Sequence, residues 1–214
     1  MKGIVFFDCD STLSGIEGVD ELGRMRGEAI CREIERLTNE AMGGHVPIGE
    51  IFGRRLELIR PTLEECERVG QMYIREVEAT AQATVEGLRR RGWEVVIVSG
   101  GFVPCILPLA RALGIGRVEA VPLEFGDGGE YVGYGEGHPA TRNGGKLEIV
   151  RGVLGEMGAG KSVMVGDGMS DFEAAAGVDL FLAFTGFVRR EPVVRAAGQG
   201  GEIRRLEEVL ELLP

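Results

Sequence analysis

Short apolar runs rich in Val and Ile recur along the chain, each followed by a Gly-rich or Asp-rich turn and then by a helical pattern. Ile4 to Phe7 leads into DCDST, Val95 to Val98 into SGG, Val163 to Val165 into GDG, and Phe181 to Phe184 into TGF. Continuous apolar strands alternating with helices predict a parallel sheet with helices on both faces, an α/β Rossmann-like core. The helical periodicity is clearest at Leu147, Val150, Leu154 and Met157, which stop at Gly158, and at Ile106, Leu109 and Leu113, which stop at Gly114. Ile203, Leu206, Leu210 and Leu213 predict a last amphipathic helix.

Between the first two apolar runs lie about eighty residues, far more than one crossover helix requires. The stretch predicts helices only: one from Glu28 to Met42 ending at Gly43-Gly44, one from about Pro47 to Ile59, and one opened by TLEE, in which Thr62 and Glu65 form a capping box. The expected organisation is an α/β core made of residues 1–13 and 78–214, with a small helical cap, residues 14–77, inserted after the first strand and lying over the carboxyl ends of the sheet. A second excursion, LEFGDGGEYVGY from Leu123 to Tyr134, predicts a hairpin around its Asp-Gly-Gly turn.

Composition narrows the partners. The 214 residues suit one large domain or a core with a modest insertion. A formal net charge of −10 argues against a nucleic-acid binder, and the most basic run, RRRGW from Arg89 to Trp93, reads as a helix end whose cations complement the dipole. The same acidity means that an anion-binding site must carry its own local cations. Apolar runs of about four to six residues are too short for a membrane span or a signal peptide, so a cytoplasmic location is expected. Cys9, Cys31, Cys66 and Cys105 show no CxxC spacing and read as reduced, mostly buried thiols.

Ligands of open α/β sheets bind outside the carboxyl ends of the strands, and the polar residues that follow the apolar runs all fall there. Asp8 and Asp10 follow the first run, Ser99, Gly100 and Gly101 the second, and Asp167 and Asp171, in GDGMSD, the third. Four carboxylates in one crevice repel one another and lose hydration, which calls for a hard divalent cation with oxygen ligands. Mg²⁺ suits the set because it keeps waters and takes a few carboxylates plus a substrate phosphate. Ser99 with the following glycine amides, Thr12, and the amides of the turn after Asp10 can donate to an oxyanion. Lys146, at a helix start after Asn143-Gly144-Gly145, adds a positive charge. The balance stays negative, and Arg54, Arg55 and Arg60 in the insertion, with Arg189 and Arg190 after the last run, are the cations available to offset it. Each string alone has an ordinary explanation as turn, cap or surface chemistry. Their joint placement at three strand ends is what points to a site. His45 and His138 lack partners at ligand spacing and read as surface or lid residues.

The order DCDST at 8–12, Ser99, Lys146 and GDGMSD at 166–171 resembles the four signature elements of the haloacid-dehalogenase-like phosphotransferases. EGVDELG, AMGGHVP, RLELI, SGGF, GEYVGY, NGGK and FTGFVRR extend the resemblance, over nearly the whole chain, to phosphoserine phosphatases. That resemblance implies Mg²⁺-dependent hydrolysis of O-phospho-L-serine to L-serine and phosphate through an aspartyl-phosphate, the last step of serine biosynthesis. It implies Asp8 as nucleophile and Asp10 as general acid/base, with Mg²⁺ held by the Asp8 carboxylate, the Asp10 backbone carbonyl and Asp167, and Asp171 supporting the metal's waters. Ser99, Gly100 and Lys146 would bind the phosphoryl oxygens. Glu17 would take the substrate ammonium and Arg55 its carboxylate, Met42 and Gly43 would line the pocket, and Arg190 would add a cation nearby. The chain departs from the pattern at Ala79-Thr80, where Pro-Gly is common, and at Phe187, where asparagine is common. The implied partner is a small phosphomonoester and the implied assembly a monomer or homodimer. The alternatives are a phosphatase for another small phosphomonoester, a transferase passing the phosphoryl group to an alcohol such as homoserine, and a non-catalytic phosphate-binding module. Intact Asp8, Asp10, Lys146 and Asp167 weigh against the last.

Overall fold

All five residues of the first strand, β1 (Gly3–Phe7), are buried. Successive side chains of a strand point to opposite faces, so both faces of β1 are covered. This computed structural model describes residues 2–42, 46, 48–158 and 160–213. The chain continues through α1 (Gly18–Arg24), α2 (Glu28–Met42), α3 (Ile48–Ile59), α4 (Leu63–Arg75) and α5 (Ala81–Arg90) before the next strand, β2 (Trp93–Phe102). Then follow α6 (Val103–Leu113), β3 (Arg117–Val121), the hairpin strands β4 (Leu123–Phe125) and β5 (Tyr131–Tyr134), α7 (Gly145–Met157), β6 (Ser162–Gly166) and α8 (Met169–Ala174). The last elements are β7 (Leu180–Phe184), α9 (Glu191–Ala197), β8 (Glu202–Ile203) and α10 (Glu208–Leu212).

A six-stranded sheet runs in the order β3-β2-β1-β6-β7-β8 with every pairing parallel. From β1 the chain winds outward through β2 and β3, then returns to the other flank of β1 to lay down β6. That reversal leaves a crevice between the carboxyl ends of β1 and β6, where such sheets bind ligands. Phe7 pairs with Val165, and the Asp8 amide donates to the Val165 carbonyl at 2.9 Å. Asp8 and Asp167 thus leave adjacent strands side by side.

Three sequence expectations shift. SGGF lies inside β2 rather than after it, with the pairing to β3 slipping between Val98 and Phe102. Ile203 belongs to β8, not to a helix: the open edge of β7 recruits it, Thr185 N donating to Ile203 O at 2.8 Å, because unpaired strand amides near the core need partners. The helix that follows is confined to Glu208–Leu212. Periodicity alone also missed β3, whose pattern RVEAV is only partly buried, and the short helices α1, α8 and α9. The expected helix stop at Gly43-Gly44 and start at Pro47 lie outside the described residues. Among the described residues no helix is long and apolar enough to cross a membrane.

The helical insertion enters and leaves through one narrow neck. Gly15 N donates to Glu76 O at 2.9 Å and Glu78 N to Leu13 O at 2.9 Å, while Ser14 Oγ donates to Glu76 O at 3.1 Å. Thr80, standing at the unusual Ala79-Thr80 position, locks the exit: its amide and hydroxyl both donate to Glu78 Oε2, at 2.8 and 2.7 Å. At the far side the hairpin grips the insertion. Leu63 N donates to Gly129 O at 2.9 Å, the Arg60 guanidinium lies 5.4 Å over the Tyr131 ring, and the Phe52 and Tyr134 rings are 5.5 Å apart.

Within the insertion one side chain joins three helices. The capping box at Thr62 and Glu65 forms as predicted. Arg26, just past α1, donates from Nε to Ile59 O at 2.5 Å and from Nη2 to Arg60 O at 3.1 Å, satisfying carbonyls at the end of α3. The same guanidinium forks onto Glu65, with Nη1 to Oε1 at 2.6 Å. The hydrogen bonds from Arg26 hold the Glu65 carboxyl down at about 2, against an ordinary 4.5. A folded-state pKa below the unfolded one means that stability is gained above about pH 4.5 and lost as pH falls toward 2. Glu65→Gln should therefore lower stability by about 1–2 kcal/mol at neutral pH, a figure discounted for partial solvent access. In thermal melts of both proteins the gap should narrow as pH drops from about 5 to 2; a gap that stays constant would exclude the ion pair as its source.

Candidate active site

Asp8 is the first residue past β1. Its Oδ1 accepts from the Cys9 amide at 2.8 Å and from the Lys146 ammonium at 2.8 Å. Lys146, in the first turn of α7, also donates to Asp171 Oδ1 at 2.5 Å. Asp171 folds back from α8 against β6, its Oδ2 accepting from Gly168 N at 2.9 Å. Gly166 makes that approach possible, since a β-carbon there would lie 2.3 Å from Asp171 Cγ. Asp8, Asp167 and Asp171 are buried and each offers an oxygen within 4.8 Å of the others. Burial, and next the charge of Asp8, lifts the Asp171 carboxyl to about 7. Burial works against the Lys146 ammonium, but Asp171 and Asp8 together outweigh it and push its pKa up. Arg190, at the start of α9, pairs with Asp167 Oδ2 and stands 3.9 Å from Glu17 Oε1. A buried, all-oxygen, still anionic cluster of this kind suits a hard divalent cation.

The Asp10 carboxylate stands outside that cluster, so three of the four expected carboxylates converge rather than all four. Its Oδ1 accepts from Gly18 N at 2.8 Å and from the Tyr73 hydroxyl. Burial first, then the charge of Asp8, raises Asp10 to about 6. Burial likewise pushes the Tyr73 phenol well above its usual 10. Next to Asp10, Glu17 is lifted to about 8 by burial and then by the Asp10 charge, while Ser11 Oγ donates to Glu17 Oε1 at 2.6 Å. Ser11 adopts φ 51°, a left-handed conformation that costs a non-glycine residue energy and that turns its hydroxyl toward Glu17.

Other expected residues divide. Ser99 is fully buried and its Oγ accepts from Gly101 N at 2.9 Å, with Gly100 between them. Thr12 has both donors engaged within the protein: its hydroxyl donates to Asp167 Oδ1 at 3.3 Å and its amide to Cys9 O at 3.3 Å. Ser11 N is likewise spent, on Ile16 O at 3.4 Å. Of the insertion arginines, Arg54 pairs with Glu33 at 3.0 Å and Arg60 with Glu57 at 2.9 Å, both at the surface, and only Arg55 turns inward. Arg189 is held by Glu202 at 2.9 Å. Met42 closes α2; Gly43 and His45 lie outside the described residues. His138 caps the turn Pro139–Thr141 through its Nδ1, which accepts from Ala140 N at 3.3 Å. Tyr73, Gly18 and Ser11 were not anticipated. Tyr73 shares the buried side of α4 with Cys66, Val69 and Gly70, and its polar tip on that apolar stripe is the one signal that could have marked it.

The profile of the haloacid dehalogenase-like hydrolases matches residues 5–176. The chain is 35% identical over 191 residues to the phosphoserine phosphatase of Bos taurus, spanning 88% of this chain and 84% of that one. Among solved structures, a substrate-bound phosphoserine phosphatase complex superposes with a TM-score of 0.84 at 27% identity, covering 100% of this chain and 99% of that one. A phospho-aspartyl intermediate analogue of phosphoserine phosphatase superposes with a TM-score of 0.83 at 28% identity, with the same coverage.

The charge balance of the cluster makes a direct prediction. A divalent cation should raise the melting temperature by several degrees, and a chelator should reverse the gain, because binding to the folded state alone stabilises it. Asp167→Asn should lose that response while remaining folded. An undiminished shift in Asp167→Asn would place the cation elsewhere.

Proposed function

The chain belongs to the haloacid dehalogenase-like hydrolase family, and we propose that it hydrolyses phosphoserine with its two neighbouring carboxylates in separate roles, Asp8 as nucleophile and Asp10 as general acid and base. The observation that carries this reading is the split environment of the pair. Asp8 sits against the Lys146 ammonium at 2.8 Å, which places a positive charge beside the attacking oxygen and the incoming phosphate. Asp10 is held apart and raised to about 6, which favours a group that gives and takes a proton near neutrality. An Asp8 oxygen attacks phosphorus as the bond to the serine oxygen breaks, and Asp10 delivers its proton to that oxygen. Water then attacks the phosphorus of the aspartyl-phosphate, yielding its proton to Asp10 and restoring Asp8 as phosphate leaves. Lys146, Ser99 and the Gly100 amide hold the phosphoryl oxygens.

The residues fit a divalent metal, and Mg²⁺ is the ion we assign, held by Asp8, Asp167 and the Asp10 backbone carbonyl, with Asp171 behind. When bound it supplies positive charge that offsets the meeting of a carboxylate with a phosphate dianion. Lys146 supplies the protein's own share of that charge.

Substrate choice falls to the helical cap, residues 14–77. Burial drives the Arg55 pKa down, and its Nε is buried without a hydrogen-bond partner. Its Nη1 donates to Thr38 Oγ1 at 3.1 Å and its guanidinium lies 5.6 Å over the Phe52 ring. A buried guanidinium with an idle donor calls for an anion, and the carboxylate of phosphoserine is one. Glu17, forced toward its neutral form by burial, gains a counter-charge when an ammonium arrives.

Phosphate release from L-phosphoserine with Mg²⁺ tests the proposal, run beside other phosphomonoesters and with homoserine added as an acceptor. Asp8→Asn should abolish release. Arg55→Ala and Glu17→Ala should lower kcat/KM for phosphoserine by about a hundredfold while changing that for p-nitrophenyl phosphate far less. Equal losses on both substrates would sink the recognition roles, and phosphohomoserine as the main product would replace hydrolysis by transfer.

A further inference from the structure

Tyr73 is fully buried, comes from the last helix of the insertion, and lies 63 residues along the chain from Asp10, yet its hydroxyl donates to Asp10 Oδ1. Gly18 N donates to the same oxygen at 2.8 Å. With two donors directed at Oδ1, a proton on this carboxyl group belongs on Oδ2. Oδ2 faces the Ser99–Gly101 segment: a β-carbon on Gly101 would lie 3.1 Å from Asp10 Oδ2 and 3.2 Å from Ser99 Oγ. We propose that Tyr73 is a positioning residue for Asp10, holding Oδ1 so that Oδ2 is the oxygen presented to the leaving group. The proposal rests on the acid/base role given to Asp10 above.

The surroundings of the phenol support that role. A β-carbon at Gly18 would lie 2.2 Å from the Tyr73 hydroxyl oxygen and 3.0 Å from Cζ, so Gly18 contributes a donor and also leaves the room that the hydroxyl occupies. Farther along α4, Gly70 sits so close to α6 that a β-carbon would lie 2.5 Å from Pro108 Cγ. The helix carrying Tyr73 is therefore seated on the core rather than suspended from the insertion. The χ2 torsion of an aspartate is broad and roughly two-fold, so without an anchor the two oxygens exchange and the proton is presented in the wrong direction for part of the time. A phenol on a rigid helix removes that freedom.

The test uses the leaving group. kcat/KM covers events up to departure of the alcohol; a serine oxygen needs a proton to leave and a p-nitrophenolate does not. Tyr73→Phe keeps the ring and removes the donor. It should lower kcat/KM for phosphoserine by about tenfold or more with KM nearly unchanged, and leave kcat/KM for p-nitrophenyl phosphate within about twofold. A loss equal for both substrates, or none for phosphoserine, overturns the proposal. Gly18→Ala, whose methyl group would displace the hydroxyl, should show the same selective loss and gives the reading if the phenylalanine variant does not fold. Asp10→Asn separates the two layers of inference. A selective loss there, absent from Tyr73→Phe, overturns the role of Tyr73 alone; no selectivity in Asp10→Asn overturns the acid role of Asp10 and this proposal with it.

Discussion

Three carboxylates, buried and within 4.8 Å of one another, are the constraint on which the rest of the structure depends. Charges of one sign at that separation, away from water, are tolerated only with compensation at hand. The fold supplies it from two directions. Lys146 enters between Asp8 and Asp171 from the first turn of α7, and Arg190 reaches Asp167 from the start of α9. The parallel sheet makes the convergence possible by laying β6 directly against β1, so that residues just past two neighbouring strands share one crevice. Even so the cluster remains anionic, in a chain whose overall charge is −10. A bound cation and a phosphate are complementary guests for such a place.

Asp10 escapes this cluster because its carboxylate is drawn the other way, toward Gly18 and Tyr73. Two residues of separation along the chain thus become two electrostatic environments, one beside an ammonium and one beside neutral donors. The neutral donors come from the insertion, whose neck is hydrogen-bonded shut at Gly15 and Glu76. The insertion and the core consequently share one crevice: Glu17 and Tyr73 belong to the helical stretch by sequence and lie beside Asp10 in space.

Much of this is legible in the amino-acid sequence. The central strands announce themselves by unbroken apolar runs; the strand-end residues Asp8 and Asp167 follow from where those runs stop, and Lys146 from the helix start after Asn143-Gly144-Gly145. The inserted helices were marked by length and by the Thr62–Glu65 box. What escaped depends on tertiary partners. Ile203 looks helical in its own neighbourhood, and only the open edge of β7 makes it a strand. Thr12 looks like an anion donor, and only the proximity of Asp167, 155 residues away, shows its hydroxyl to be committed. Tyr73 looks like core filling because its packing obscures its hydroxyl. Local pattern reports which side of an element is buried; it does not report what the buried side meets.

The order in which the chain is made adds a consequence to this topology. The insertion helices leave the ribosome well before residues 123–134, whose hairpin grips them through Leu63, Arg60 and Phe52. Likewise β1 emerges long before β6, its permanent neighbour. A nascent chain must therefore hold the hydrophobic strand Gly3–Phe7, with one flank unpaired, through most of synthesis. Contacts this distant in sequence close late and expose aggregation-prone edges meanwhile. Asp8 and Asp171, the two carboxylates that Lys146 joins, are brought together only after four-fifths or so of the chain exists, by which time Lys146 itself has already been made.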